Sequence, residues 1–186
     1  MLVIRNLVIL VALLPIIPFL FLLFLIIIIE DGMPAIFIQE RVGIDRKNFN
    51  LYKIRTMKKN TPQAGTHYID QSQILKCGKI IRKFKLDEIL QLINVLKGEI
   101  NLVGPRPCLH SQAELIHERE KMGIYSIKPG ITGLSQVCGY NMSDPKKLAL
   151  VDSLYLNNKS LNLDFYILVT TVSGIFRKKL KRDFDI

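Results

Sequence analysis

Two adjacent carboxylates, Asp87 and Glu88, are the residues of this sequence best placed to do chemistry. The apolar residues beside them recur at the spacing of one helix face: Leu86, Ile89, Leu90, Ile93 and Leu96. We therefore expect Asp87 and Glu88 in the first turn of an amphipathic helix, where free backbone N–H groups and the helix dipole keep carboxylates ionised. Acidic residues are common at helix starts, so the pair alone does not establish a site.

An arginine on a stiff turn follows this helix. A short apolar strand over residues 100–103 leads into Gly104-Pro105-Arg106-Pro107. Pro105 fixes its own φ, and Pro107 disfavours the helical region for Arg106, so the turn has little conformational freedom. A guanidinium carried in this way suits a phosphate group, and Arg82 adds a cation just before the carboxylates.

The composition indicates a basic chain with one compact domain and a short appendage. It has 186 residues, with 26 Lys and Arg against 16 Asp and Glu, which suits an anionic partner such as nucleic acid, acidic lipid or a phosphorylated substrate. Cys77, Cys108 and Cys138 are widely spaced and odd in number, so neither a disulfide framework nor a zinc site is indicated.

An uncharged segment of 23 residues, from Leu7 to Ile29, predicts a retained membrane helix. About 20 apolar residues suffice to cross a bilayer as a helix. Pro15 and Pro18 lie near the middle of the segment. These prolines are compatible with a kinked helix that spans the bilayer and with a helix that bends and returns to the face it entered from.

A β-hairpin is predicted next, with strands at 35–42 and 48–54 around the polar turn GIDRK. Alternation places Lys53 and Arg55 on one face at the end of the second strand. Cations at such a position are often only part of a solvated strand edge. The polar run 58–73 then reads as a mobile loop.

The remaining segments alternate between predicted helices and one glycine-rich loop. A helical pattern over 74–84 presents Arg82 near the carboxylates. The capping-box sequence at 111–114 predicts a helix to about Met122, and Asp144 followed by proline predicts another through Tyr155. Between them, KPGITGLSQVCGY at 128–140 is a loop whose backbone could approach a ligand closely.

The C-terminal apolar run, residues 163–176, is too short to span a bilayer and ends in the basic cluster RKKLKR. A helix lying in the membrane interface, with its basic residues toward anionic headgroups, fits this pattern. A core helix followed by a solvated tail is the alternative.

The segment LDEILQLINVLKGEINLVGPRP, from Leu86 to Pro107, resembles the signature of the bacterial sugar transferases known as monotopic phosphoglycosyl transferases. The segments PAIFIQERVG, FNLYKIRTM and KPGITGLSQVCGY resemble further motifs of this family, in the same order. The resemblance covers roughly residues 10 to 175.

The resemblance implies an α+β membrane-associated enzyme with two parts: a re-entrant membrane helix at 1–30, broken near Pro18, and a cytoplasmic catalytic domain at 31–186 with an interfacial C-terminal helix. It implies transfer of a phospho-sugar from a UDP-sugar to a polyprenyl phosphate, with release of UMP, at the start of membrane glycan assembly. The expected location is the cytoplasmic face of a bacterial inner membrane, with anionic lipid as a partner and no nucleic acid.

The family's site residues transfer by position. Asp87 would be the nucleophile, Glu88 its assistant, and Mg²⁺ the cofactor, with Asp87 as its expected ligand. The substrate contacts implied by the resemblance are Arg55, Arg82, Arg106, Lys128, Thr132 and Gln136.

Four positions of this chain and its opening segment depart from the family's pattern. Ile17 replaces the serine before the helix-breaking proline, and MLVIRN lacks the family's basic-aromatic opening. Lys128 replaces an arginine, Cys138 an asparagine, and Tyr140 an arginine implicated in holding the nucleotide sugar. The sugar therefore stays open, although the segment after the proline turn is more similar to members that handle N-acetylated amino sugars. A nucleotide-sugar hydrolase and a non-catalytic basic membrane adaptor are the alternative functions.

Overall fold

The computed structural model describes residues 2–62 and 70–186. It contains four short strands and nine α-helices within these ranges, in the order α1 (Leu2–Leu13), α2 (Ile17–Asp31), β1 (Ile36–Val42), β2 (Asn48–Ile54), α3 (Lys76–Lys83), α4 (Gln91–Leu96), β3 (Asn101–Val103), α5 (Ala113–Lys121), β4 (Gly130–Thr132), α6 (Leu134–Cys138), α7 (Pro145–Asn158), α8 (Leu161–Ser173) and α9 (Arg177–Asp183). The α+β class is confirmed.

The chain divides into two compact units. Residues 1–39 and 51–96 form the first, which we call the carboxylate unit because it contains Asp87 and Glu88. Residues 40–50 and 97–186 form the second, which we call the arginine-turn unit because it contains Arg106. The predicted hairpin is confirmed as the two-stranded sheet of β1 and β2, and the boundary between the units crosses it.

The N-terminal apolar segment is helical almost throughout. One helical run, Ile9–Asp31, is long and apolar enough to cross a membrane. A 3₁₀ turn at Leu14–Ile16 contains Pro15, and Pro18 lies in the first turn of α2. Proline removes one backbone donor from a helix, which accounts for the local change of helix type. The flanking residues keep right-handed helical angles, so the choice between a spanning and a re-entrant helix stays a prediction.

Most large apolar side chains of this segment are exposed. They include Leu7, Leu10, Val11, Leu14, Ile17, Phe19, Phe21, Leu22, Leu25, Ile26 and Ile29. Leu23 and Ile27 are buried instead, against a core that includes Ile54, Ile81 and Leu90. One face of α2 therefore belongs to the carboxylate unit, and much of the rest is an exposed apolar surface.

Two acidic residues tie the end of α2 to the same unit. Glu30 accepts hydrogen bonds from the N–H groups of Lys76 and Cys77 at the start of α3. These bonds satisfy two of the donors that a helix start leaves free. Asp31 forms an ion pair with Arg55 at 2.8 Å.

The arginine-turn unit is built around a parallel pair of very short strands. Asn101 pairs with Gly130 and Val103 with Thr132. Helices α6 to α9 contribute most of a core whose buried members include Val151 and Tyr155. A second cluster joins α5 and α7 through Leu115, Leu148 and Ala149.

The predicted helices of this unit are confirmed, but one predicted cap is wrong. Asp144 caps α7 by accepting a hydrogen bond from the N–H of Lys147. The capping box at 111–114 does not form, because α5 begins after Gln112 and has no side-chain cap. Gln112 instead accepts from the N–H of Leu109, which closes the preceding turn.

The C-terminal apolar run is partly a core helix, and a position in a membrane interface stays a prediction for it. Leu163, Ile167 and Thr170 of α8 are buried in the unit. A second apolar stripe on the same segment is exposed: Leu161, Phe165, Leu168, Val172 and Ile175. The basic cluster forms α9, where Leu180 is buried among exposed or half-buried cations.

Candidate active site

Asp87 and Glu88 lie in a 3₁₀ turn, Leu86–Glu88, rather than at the start of a continuous α-helix. The α-helical part, α4, begins only at Gln91. Lys85 precedes the turn with a φ of +54°, in the left-handed region that non-glycine residues rarely adopt. This residue separates α3 from the carboxylates. The strained backbone of Lys85 therefore lies two residues before the predicted nucleophile, Asp87.

The electrostatic surroundings of Asp87 oppose its ionisation. Burial raises the pKa of the Asp87 carboxyl, and the negative charge of Glu88 raises it further. Lys53 and Arg82 lower the pKa of Asp87 but only partly offset these two effects. Backbone N–H groups at the start of the helix, which the sequence suggested as the main influence, therefore have only a minor effect on the pKa of Asp87. A further cation near Asp87 would favour the ionised form of this carboxyl.

Arg82 is brought to this region by close packing of α3. A Cβ atom at Gly78 would collide with the backbone carbonyl of Thr56, so only glycine allows α3 to approach the chain after β2 this closely. Arg82 Nε donates to Thr56 Oγ1 at 2.8 Å. The structure thus places Arg82, Lys53 and the two carboxylates within one unit.

Arg55, the fourth predicted residue of the carboxylate unit, is engaged differently. Its side chain is only 5% exposed. The guanidinium donates to Asp31 Oδ2 at 2.8 Å and to the carbonyl of Gly32. In this structure Arg55 therefore fastens the end of α2 to β2 with two bonds that a phosphate ligand would compete for.

Arg106 belongs to the arginine-turn unit, where the backbone around it is held from several sides. Gly130 N donates to the carbonyl of Pro105 at 2.9 Å. Arg119 Nη1 donates to the carbonyl of Arg106 at 2.7 Å, and Arg41 Nη1 to that of Pro107 at 3.0 Å. The stiff turn predicted from the two prolines is reinforced by these bonds. The Arg106 side chain itself is half-buried.

The glycines of the 128–140 loop serve the packing of this turn. A Cβ atom at Gly130 would collide with the backbone of Gly104, and one at Gly133 with the carbonyl of Gly104. We expected these glycines to let a ligand approach the backbone. In the structure Gly130 and Gly133 instead allow their own backbone to pack closely against that of Gly104. Close packing of the two loops places Lys128 and Thr132 beside the strand that leads to Arg106.

The three predicted substrate-binding residues on this loop differ in their availability. Lys128 is half-buried. Thr132 is buried, and its hydroxyl lies 2.7 Å from that of Thr171 on α8. Gln136 donates through Nε2 to the carbonyl of Ile131 at 3.1 Å, whereas its Oε1 is buried and has no hydrogen-bond partner among residues 2–62 and 70–186. An unmatched buried acceptor costs free energy, so Gln136 is a site where a donor from a ligand would be favourable.

Positive charge is present where Tyr140 occupies the position of the family's arginine. The ammonium groups of Lys147 and Lys181 lie 5.2 Å and 5.5 Å from the centre of the Tyr140 ring. Both distances are within the range of a cation–π interaction. Two lysines therefore place positive charge beside Tyr140.

Asp87 and Glu88 fit the chemistry of a Mg²⁺ site. Residues 2–62 and 70–186 contain no cluster of three or more His, Cys, Asp or Glu side chains that could hold a metal. Mg²⁺ is commonly bound by one or two carboxylates, with waters and substrate phosphates completing its coordination. A divalent cation would add to the positive charge that Lys53 and Arg82 provide near Asp87.

Sequence reasoning missed two charged residues of the arginine-turn unit. Arg119 and Asp152 are both 2% exposed in their side chains and form an ion pair at 2.6 Å. The one signal for Arg119 is its position four residues after the buried Leu115 on α5, which places it on the buried helix face. Nothing in the sequence indicates that Asp152 is its partner.

Comparisons with known proteins identify the family of this chain. Residues 3–178 match the family described as bacterial sugar transferase. The sugar transferase EpsL of Bacillus subtilis is 41% identical over 144 residues, which are 77% of this chain and 71% of EpsL.

Two relatives have more specific names. The UDP-N-acetylgalactosamine-undecaprenyl-phosphate N-acetylgalactosaminephosphotransferase of Aeromonas hydrophila is 34% identical over 79% of this chain and 36% of its own length. The undecaprenyl-phosphate galactose phosphotransferase of Salmonella typhimurium is also 34% identical, over 81% of this chain and 35% of its own length. The chain thus spans about a third of the length of these two relatives. With the family matched over nearly its whole length, this chain is an enzyme of the bacterial sugar transferase family.

Proposed function

We propose that this enzyme transfers a sugar phosphate from a UDP-sugar to a polyprenyl phosphate and releases UMP. Two relatives are named for transfer to undecaprenyl phosphate, and one of those names specifies a UDP-sugar. The observation that carries the proposal is Asp87, a half-buried carboxylate whose pKa is raised and which has Glu88, Lys53 and Arg82 as its charged neighbours.

In the proposed reaction the Asp87 carboxylate is a nucleophile. Its oxygen attacks the β-phosphorus of the UDP-sugar, and the bond from that phosphorus to the oxygen shared with the α-phosphate breaks, so UMP leaves. An oxygen of the polyprenyl phosphate then attacks the same phosphorus and displaces Asp87. The products are a polyprenyl diphosphate sugar and the regenerated carboxylate, and no oxidant or additional reactant is required.

The chain's own residues have separate tasks in this scheme. Burial removes water from the Asp87 carboxylate, which makes it a stronger nucleophile once ionised. Lys53 and Arg82 favour the ionised form and attract the diphosphate. Arg106 would bind a phosphate oxygen from its own unit, and Gln136 would accept a hydrogen bond from the sugar or the base through Oε1.

Mg²⁺ is the proposed cofactor, held by Asp87 with Glu88 adjacent. When bound, it would neutralise the negative charge that builds up on the diphosphate as UMP leaves. Glu88 would help to hold the ion or would handle a proton.

We further propose that the enzyme is bound at the cytoplasmic face of a bacterial inner membrane. The exposed apolar surface of α1 and α2 would be covered by acyl chains, and the exposed stripe of α8 would lie in the interface with α9 facing anionic headgroups. Residues 1–30 would be the re-entrant membrane part and 31–186 the catalytic part.

Cysteine labelling tests this topology. In a variant without native cysteines, Leu2→Cys and Met33→Cys place a thiol at either end of the helical segment, and Met33 is exposed. A reagent confined to the periplasm should label neither position if the helix is re-entrant. Labelling of Leu2→Cys alone would establish a spanning helix.

Acceptor dependence tests the transfer reaction. UMP release should be measured with UDP-N-acetylgalactosamine, UDP-galactose and UDP-glucose, each with and without polyprenyl phosphate. We expect multiple turnovers with one or more of these sugars only when the lipid phosphate is present. Multiple turnovers without lipid would indicate a hydrolase, and no UMP from a folded, membrane-bound chain would favour the adaptor.

A further inference from the structure

Four consecutive carbonyl groups at the arginine turn each accept a hydrogen bond. Those of Pro105 and Cys108 accept from backbone N–H groups, of Gly130 at 2.9 Å and Val42 at 3.1 Å. Those of Arg106 and Pro107 accept from the side chains of Arg119 and Arg41. The bonds to the two central carbonyls therefore depend on charged side chains.

Arg119 is held in a single orientation by Asp152. Its Nε and Nη2 atoms both donate to Asp152 Oδ2, at 3.0 Å and 2.6 Å, and its Nη1 donates to the Arg106 carbonyl at 2.7 Å. Because the guanidinium is planar, fixing one edge on Asp152 also fixes the direction of the donor that reaches Arg106. Helices α5 and α7, which carry the pair, pack against each other.

The pair is a costly way to achieve stability alone. Burying two charges requires removing both from water, and an apolar pair of similar volume often stabilises a fold as well or better. The ion pair does provide a rigid donor at a chosen point of the turn. Pro105 and Pro107 restrict much of the turn but leave ψ of Arg106 a range of values within the extended region, and the Arg119 bond narrows that range.

We propose that Arg119 is a positioning residue for Arg106, with Asp152 as the group that orients it. Arg119 fixes the Arg106 carbonyl and thereby the direction in which the Arg106 side chain leaves the backbone. The inference rests on the proposed function in one respect, which is that the Arg106 guanidinium binds a substrate phosphate. Asp152 and Arg119 touch no substrate themselves.

Three variants separate positioning from folding. Arg119→Lys keeps a charge for Asp152 but loses the planar fork that also reaches Arg106. The double variant Arg119→Met with Asp152→Leu removes both charges and fills the space with apolar atoms. The fold should therefore persist without the bond from Arg119 to the Arg106 carbonyl. Glu120→Gln is the matched control, because Glu120 is the next residue on α5 and its side chain forms an exposed pair with Arg46.

Hydrogen exchange, measured on the full chain in detergent, tests whether the bond from Arg119 to the Arg106 carbonyl stabilises the turn, and it needs no substrate. In the Met and Leu double variant, the N–H groups of Gly130 and Val42 should exchange about tenfold faster, because they donate to the carbonyls of Pro105 and Cys108, on either side of the released Arg106 carbonyl. Protection of the α7 core should be unchanged. Wild-type protection at Gly130 and Val42, in a chain that retains its melting temperature, would overturn the proposal.

A double-mutant cycle with Arg106→Lys reads the functional consequence, using the UDP-sugar from the panel that gives the highest turnover. We expect Arg119→Lys to lower kcat/KM by roughly tenfold to a hundredfold in the wild-type background, because misplacing a binding group is costly. In the Arg106→Lys background the further loss should be under about twofold, since there is no guanidinium left to position. Glu120→Gln should match the wild type.

Equal losses in both backgrounds that follow the melting temperature would overturn the proposal and leave Arg119 a residue of the fold only. The failure of the proposed function is distinguishable from this result. In that case the wild type would release no UMP with any sugar of the panel, while the exchange measurement would still decide whether Arg119 holds the turn.

Discussion

Charge is treated differently at the two groups of candidate residues. Around Asp87, burial and Glu88 raise the pKa of a carboxyl that Lys53 and Arg82 only partly stabilise as an anion. Around Arg106, the buried charges of Arg119 and Asp152 neutralise each other at 2.6 Å, and the adjacent carbonyls all have donors. Satisfied charges build a rigid support, whereas an incompletely compensated charge marks the atom expected to react.

The largest effect is expected from Asp87→Asn, which keeps the shape of the side chain and removes its charge. Transfer should fall by at least about a thousandfold, because the proposed nucleophile is gone. Asp45→Asn is the control, since Asp45 is an exposed carboxylate whose left-handed φ asparagine tolerates. Turnover of the Asp87 variant within tenfold of wild type would remove Asp87 from the mechanism.

The same variant should be more stable than the wild type at neutral pH. A carboxyl whose pKa is raised on folding binds its proton more tightly in the native state, so stability falls as the pH rises through that raised pKa. Asparagine has no charge to bury, so the melting temperature of Asp87→Asn should exceed that of the wild type at pH 7. The two melting temperatures should converge in acid.

Arg106→Lys and Arg55→Lys compare a proposed substrate-binding residue with a structural one. Arg106→Lys should lower kcat/KM by roughly tenfold or more, because lysine cannot bind phosphate with two parallel N–H groups. Arg55→Lys should instead destabilise the fold by about 1–3 kcal/mol through loss of bonds to Asp31 and Gly32. The reverse pattern would assign the phosphate to Arg55.

A smaller effect is expected on the pH profile of Glu88→Gln. The rate should fall in acid as Asp87 takes up its proton. Removal of the Glu88 charge lowers the pKa of Asp87, so the acid limb of kcat/KM should move to lower pH in the variant. Some activity should remain if Glu88 only assists. An unmoved acid limb would mean that Asp87 does not control it.

The smallest effect concerns the strain beside the carboxylates. Lys85→Gly should fold at least as well as the wild type, because glycine adopts a φ of +54° without steric cost. Lys85→Val should lower the melting temperature, since a β-branched residue is strained there. Equal melting temperatures for the two variants would show that the left-handed conformation is not maintained in solution.

The sequence predicted local structure well wherever one short pattern decides it. The hairpin, the helix capped by Asp144 and the stiffness of the Gly104–Pro107 turn follow from alternation, a capping residue and two prolines, all of which act within a few residues. The failed capping box at Ser111 shows the limit of such patterns. A competing local bond, from Leu109 N to Gln112, displaced it.

The parts that could not be predicted depend on contacts between distant segments. The pairing of Arg119 with Asp152 joins two helices, and the raised pKa of Asp87 results from burial that no local pattern reports. The glycines of the 128–140 loop suggested a place where a ligand could approach the backbone, because the sequence does not show that they pack against Gly104. Family resemblance supplied the roles that physics alone left open.

The most direct test of the account is a single-turnover measurement without the lipid acceptor. Wild-type enzyme should be mixed with Mg²⁺ and a UDP-sugar radiolabelled in its β-phosphate. We expect release of about one UMP per enzyme and a labelled protein whose label maps to Asp87. The label should be absent from Asp87→Asn and should be discharged when polyprenyl phosphate is added. Release of UMP only on addition of lipid, with no label on the protein at any time, would contradict the covalent role of Asp87.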